Sequence, residues 1–139
     1  KKIDIILSPA IGGIVVGFEV GRQLNIQTIF SERFDGNLIL RRGFNIPSGS
    51  NVLIVEDVIT TGKSALECLK IVKDLNANLV GFACIIDRSD SKILINEKII
   101  SQVKFKINLY NEKNLPEKLK KIPSKKPGSR NLTKWIKLN

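Results

Sequence analysis

Polar and apolar positions divide the chain into alternating strand and helix segments. Four short apolar runs rich in β-branched residues, Ile3–Ser8, Gln27–Ser31, Val52–Val55 and Leu79–Ile86, are too short for helices and read as strands. The third and fourth are apolar throughout, the signature of strands buried on both faces of a parallel sheet. Helical periodicity fills the gaps: Ile14–Leu24, and a stretch after Ser64 in which Ala65, Leu69 and Val72 share one face with Leu66 beside them. Val103–Tyr110 alternates well enough for a further strand. Leu115-Pro116-Glu117 opens a short helix that Ile122-Pro123 ends. Strand–helix alternation of this kind predicts an α/β domain, a parallel sheet with helices on both faces.

The richest stretch is Val52–Ser64, reading VLIVEDVITTGKS. An apolar strand stops at two adjacent carboxylates, Glu56 and Asp57, and a turn carrying Thr60, Thr61, Gly62 and Ser64 leads into the helix. Free N–H groups and the positive dipole end at a helix start favour a phosphate, and the turn's hydroxyls can donate to the same anion. Gly62 lets backbone approach without a Cβ in the way. Two carboxylates repel a phosphate but accept hydrogen bonds from sugar hydroxyls and can orient hydrated Mg²⁺. The stretch therefore asks for a sugar phosphate with free neighbouring hydroxyls. It is not a nucleotide-binding P-loop, which needs a glycine where Asp57 stands.

Three other segments carry chemistry. Ser8-Pro9-Ala10-Ile11-Gly12-Gly13 is a second strand-to-helix turn with backbone donors suited to a diphosphate. Glycines 36 and 43 bracket an alternating segment with Arg33, Arg41 and Arg42, read as a mobile β-ribbon, a lid that brings charge to the diphosphate, rather than as a packed element. Asp87-Arg88 closes the Leu79–Ile86 strand, placing an arginine fork at the binding edge of an open α/β sheet.

Composition narrows the chemistry. The 139 residues include no histidine, which removes histidine-based triads and histidine-ligated metal sites. Cys68 and Cys84 fall on a predicted helix and strand and read as buried apolar residues of a reducing, cytoplasmic compartment. No apolar run approaches a membrane span. The chain has no methionine, so a processed or truncated N-terminus is expected. The net charge of +10 lies wholly in residues 92–139, with thirteen Lys/Arg against three acids. Those cations are nearly all lysine and lack an aromatic stacking series, so a solvated face is favoured over a nucleic-acid footprint.

The thirteen residues Val52–Ser64 resemble the phosphoribosyl-diphosphate (PRPP) signature of type I phosphoribosyltransferases: apolar strand, two acids, two apolar residues, Thr-Thr-Gly and helix start, in that order. Glu32-Arg33, Gly36, Leu40-Arg41-Arg42-Gly43-Phe44 and the Lys126–Arg130 ending resemble a bacterial orotate phosphoribosyltransferase subgroup. The resemblance implies a type I phosphoribosyltransferase fold, Rossmann-like, with its core in residues 3–110 and a basic extension over 111–139. Within that extension Trp135 and Ile136 read as pinning the tail to the body or as a partner surface. It implies transfer of the phosphoribosyl group of PRPP to orotate, giving orotidine 5′-phosphate and diphosphate. By the same resemblance Ile11 and Gly12 meet the diphosphate, where many orotate enzymes carry a lysine in place of Gly12. Glu56 and Asp57 meet the ribose hydroxyls, and Val58, Ile59, Thr60, Thr61, Gly62, Lys63 and Ser64 form the 5′-phosphate turn. Thr60 and Arg88 would contact orotate, Arg88 through its carboxylate. Arg33 would be the catalytic loop arginine, with Arg41 and Arg42 standing in for loop lysines and Asp57 completing the catalytic set. Mg²⁺ would be held mainly through PRPP, with Glu56 and Asp57 as the protein's own donors. A homodimer is expected, and the family's N-terminal segment over the base has no counterpart here, so PRPP or nucleotide binding with slow turnover or none is expected. The alternatives are a purine phosphoribosyltransferase and a non-catalytic PRPP- or nucleotide-binding regulator of the same fold.

Overall fold

The β-branched runs find each other in one sheet. The computed structural model describes residues 2–89, 97–108 and 110–123, in two units that meet in sequence between residues 107 and 108. The first unit holds β1 (Ile5–Pro9), α1 (Gly12–Leu24), β2 (Gln27–Phe34), β3 (Asn37–Leu40), β4 (Asn51–Ile59), α2 (Lys63–Asp74), β5 (Asn78–Asp87) and β6 (Ile99–Lys104). The strand order is β3-β2-β1-β4-β5-β6. Every pairing is parallel except that of β2 with β3. The expected parallel sheet is thus a mixed one with a single antiparallel edge.

The strand pleat sends alternate residues to opposite faces, and each face has its own apolar cluster. Ile5, Leu7, Val52 and Ile54 pack with Ala65, Cys68 and Val72 of α2. Ile6, Leu53 and Val55 pack with Val16 and Val20 of α1. Gly13, Gly17 and Gly21 are the buried residues of α1 and turn toward the sheet at four-residue spacing. Added Cβ atoms at Gly17 and Gly21 would fall inside contact of Ser8 Oγ and Thr28 Oγ1, so this helix lies closer to the strands than any side chain would permit.

Three expectations change. The glycine-bracketed ribbon is a hairpin built into the main sheet, with Leu38 buried in the α2-side cluster, so it packs rather than floating free. The apolar run Val52–Val55 continues as strand through both acids to Ile59, because Val58 and Ile59 pair with Ile86 and Asp87 of β5. The last strand is Ile99–Lys104 instead of Val103–Tyr110, since Ile99 and Ile100 align with Phe82 and Ala83.

In the second unit, Glu112–Asn114 forms a 3-10 turn capped by the Asn111 side chain, and Glu117–Lys120 forms a single helical turn after Pro116. The Lys126–Arg130 ending, Trp135 and Ile136 lie outside the described residues. Among the described residues, no helix is long and apolar enough to cross a membrane.

Candidate active site at the strand carboxyl ends

The chain winds outward in both directions from β1 and β4, so the gap between their carboxyl ends is the switch point of the sheet. Open α/β sheets bind ligands there. Two strand-to-helix turns meet at this gap. Pro9–Gly12 leads into α1, whose first residue follows Ile11 with no side-chain cap. Ile59–Lys63 leads into α2, whose N-cap Gly62 sits at φ 72° and also offers no side-chain cap. Neither helix has an acid in its first turn. Both N-termini therefore keep donors and positive dipole ends for an anion. In the second turn the Thr61 hydroxyl accepts from Lys63 N at 3.4 Å, while Thr60 and Thr61 are exposed.

Continuation of β4 through Glu56 and Asp57 sorts the two acids onto opposite faces of the sheet. Glu56 follows Val52 and Ile54 toward α2, pairs in register with Cys84, and is 7% exposed. Its Oε1 is buried without a hydrogen-bond partner among the described residues. Burial, reinforced by the negative charge of Asp57, pushes its carboxyl up to about 7. Asp57 follows Leu53 and Val55 toward α1. Its Oδ1 accepts from Val58 N at 2.8 Å. Its carboxylate occupies the space into which a Cβ on Gly12 would project. Gly12 has no room for a side chain while Asp57 stands there. The diphosphate-type turn and the acid pair, 44 residues apart in sequence, are thus neighbours.

Arg88 follows β5, and its backbone N–H donates to Ile59 O at 2.8 Å, fixing it beside the end of β4. Its Nε is buried with no acceptor among the described residues, a donor of the kind an anionic ligand satisfies. Asp87 has a structural task. Buried, it accepts from Ser89 N and pairs with Lys104 Nζ at 3.0 Å, tying β6 to β5.

The three hairpin arginines are all engaged. Arg33 pairs with Glu67 of α2. Arg42 makes two 2.8 Å hydrogen bonds to Glu32. Arg41 lies 5.0 Å over the Phe34 ring. The structure brings Arg33 to α2, and it ties Arg42 and Arg41 to residues of their own hairpin. Glu67 escaped sequence reading; its only local signal was the Lys63–Glu67 spacing of four on one helix. A groove of about 600 Å³ runs between β3 and α2, floored by Leu38, Leu40 and Phe44. The acid pair and the hydroxyl turn, which stand at the switch point, do not line it, and its Lys70 and Asp74 are paired with each other. Among the described residues there is no cluster of three carboxylate or thiol side chains fit to cage a metal.

Comparison with known proteins identifies the family and the fold. The model of the phosphoribosyl transferase domain matches residues 1–114. Orotate phosphoribosyltransferase of Methylorubrum populi is 50% identical over 134 residues, covering 96% of this chain and 68% of its own. The enzyme of the same name from Chlorobium phaeobacteroides strain BS1 is 47% identical over 131 residues, 94% of this chain and 68% of its own. Among solved structures, adenine phosphoribosyltransferase from Thermoanaerobacter pseudethanolicus is similar at TM-score 0.65 and 21% identity, over 76% of this chain and 71% of that one. Orotate phosphoribosyltransferase from Aeropyrum pernix gives 0.60 and 18%, over 76% and 62%. At such identities the solved structures speak to the fold alone, whereas the family model and the sequence relatives carry membership: the chain belongs to the phosphoribosyl transferase domain family.

Proposed function

We propose that the chain transfers the phosphoribosyl group of PRPP to orotate, giving orotidine 5′-phosphate and diphosphate. The observation that carries this reading is the convergence at one sheet edge of a hydroxyl turn at an uncapped helix start, an acid pair and a buried arginine donor, with Glu56 Oε1 and Arg88 Nε lacking partners among the described residues. Those groups complement a 5′-phosphate, ribose hydroxyls and a carboxylate-bearing base respectively. The orotate names of the sequence relatives support the choice of base.

In this reading the turn Thr60–Ser64 holds the 5′-phosphate, and Glu56 and Asp57 orient the ribose. Gly12 and the start of α1 face the diphosphate, and Arg88 with Thr60 receives orotate. The C1′–oxygen bond breaks with its electron pair leaving on diphosphate, and a ring nitrogen of orotate bonds to C1′ as its N–H proton passes to the diphosphate or to water. No covalent enzyme intermediate is needed. The residues lower the barrier by positioning and by charge placed beside an oxocarbenium-like ribose. Glu56 Oε1 and the Asp57 carboxylate are hard oxygen donors suited to a hydrated Mg²⁺ brought on PRPP, an ion that would offset diphosphate charge. A homodimer and a cytoplasmic setting belong to the same proposal.

The test is thermal stabilisation with Mg²⁺ by orotidine 5′-phosphate, adenosine monophosphate and guanosine monophosphate, because a ligand of the folded state raises the melting temperature. Selective stabilisation by the orotidine nucleotide, lost in Arg88→Ala, is the expected result. Equal shifts with all three would retain the ribose-phosphate site and discard orotate. No shift with any of them would discard both.

A further inference from the structure

Glu67 lies one helical turn beyond Lys63 on α2, and its carboxylate meets cations from two different elements. Arg33 stands on the part of β2 that extends past Pro9, the end of β1. Its two terminal nitrogens donate to the two Glu67 oxygens, the longer contact being 3.4 Å to Oε1, and one of them also donates to Gly36 O. Lys63 Nζ sits 3.9 Å from the same Oε1. One carboxylate therefore joins the hairpin to the first residue of α2, at the end of the phosphate-type turn.

This cluster is not what holds the hairpin down. The ladder from Ser31–Leu40 to Phe34–Asn37 and the buried Leu38 do that. The Arg33 and Glu67 side chains are 41% and 25% exposed, and pairs so exposed add little to stability. What a planar guanidinium fork on a carboxylate does supply is direction. Glu67 fixes where the Arg33 charge points, and its shared oxygen draws Lys63 to the same place.

We propose that Glu67 is a positioning residue for anion capture. It holds Arg33 and Lys63 beside the turn Thr60–Ser64, so the β2–β3 hairpin contributes its charge at the 5′-phosphate end of the ligand and not at the diphosphate end. The inference rests on the reading of that turn as the 5′-phosphate site.

Calorimetric titration of PRPP and of orotidine 5′-phosphate, both with Mg²⁺, tests it on wild type, Glu67→Gln, Glu67→Asp, Arg33→Ala and the Arg33→Ala/Glu67→Gln double variant. Simple charge counting says that deleting a carboxylate beside a phosphate strengthens binding. Positioning predicts the opposite sign: Glu67→Gln weakens both ligands roughly fivefold, and most of that effect vanishes in the Arg33→Ala background. Glu67→Asp restores part of the affinity, and the melting temperature of Glu67→Gln stays within about 2 °C of wild type. Unchanged or tighter binding by Glu67→Gln overturns the proposal, as does an equal loss with and without Arg33. A loss confined to PRPP would move the charge to the diphosphate end and overturn the placement. Failure of the wild type to bind either ligand would sink the phosphate-turn reading itself, a result distinct from normal wild-type binding with additive variants.

Discussion

Glu56→Gln tests whether the buried acid of the site is held at the expense of fold stability. Glu56 is 7% exposed, its Oε1 has no partner among the described residues, and burial followed by the Asp57 charge pushes its carboxyl from the ordinary 4.5 up to about 7. The folded chain therefore keeps a proton through a pH range in which the unfolded chain has released it. A raised acid stabilises less as pH rises: the cost is absent below about pH 4.5, grows up to about pH 7, and is complete above it. The difference corresponds to on the order of 3 kcal/mol at pH 8. Glutamine keeps the shape and cannot ionise, though its amide brings its own unmet hydrogen bonds, which offset part of the gain. We expect wild type and variant to melt together near pH 5. At pH 8 the variant should melt higher, by roughly 5–10 °C, while its affinity for PRPP falls. Melting curves at half-unit steps from pH 5 to pH 8 measure this. A variant less stable than wild type at pH 8, or one with the same pH slope, would refute the reasoning.

Other expectations follow from close contacts. Gly17→Ala drives a methyl into the buried Ser8 side chain and should lower the urea midpoint by the equivalent of about 1–3 kcal/mol; an unchanged midpoint would show that α1 can lift off the sheet. Gly12→Ala pushes into the Asp57 carboxylate, so PRPP affinity should drop about tenfold or more with the fold intact, and unaltered affinity would separate that turn from the site. Burial pushes the Cys68 thiol up to about 12 and raises Cys84 as well. Neither should react with an aromatic disulfide reagent at pH 8 until guanidinium unfolds the chain; rapid labelling of native Cys68 would contradict its burial.

Much of this site is legible in the chain because its parts are local. Apolar run, acids, hydroxyls and glycine follow one another in Val52–Ser64, and the helix faces of α1 and α2 repeat at helical spacing. What the sequence hides depends on distant partners. The extension of β4 to Ile59 needs the register of β5. The start of β6 at Ile99 needs Phe82 and Ala83. The capture of Arg33 by Glu67 joins residues 34 positions apart, and nothing near Arg33 in sequence distinguishes a packed hairpin from a free ribbon. Glu32, by contrast, is close in sequence to the Arg42 it binds, yet only the hairpin turn brings them together.

The extension of β4 has one chemical consequence that a reading of the doublet as a single acid pair would miss. Adjacent residues of a strand face opposite ways, so Glu56 and Asp57 are not interchangeable donors. One is buried on the α2 side and carries a raised proton affinity; the other stands against Gly12 at the start of α1. They communicate mainly through charge, because the Asp57 carboxylate is the second cause of the Glu56 shift after burial. Asp57→Asn should then move the Glu56 transition to lower pH while leaving it above the ordinary 4.5, since burial remains. The pH range over which stability declines contracts from its upper end, and the loss complete at pH 8 becomes smaller. Titration of Glu56 by carboxyl ¹³C NMR in wild type and Asp57→Asn reads this directly. An unmoved midpoint would mean that the two acids do not sense each other, and the description of them as one electrostatic unit split across a strand would have to be given up.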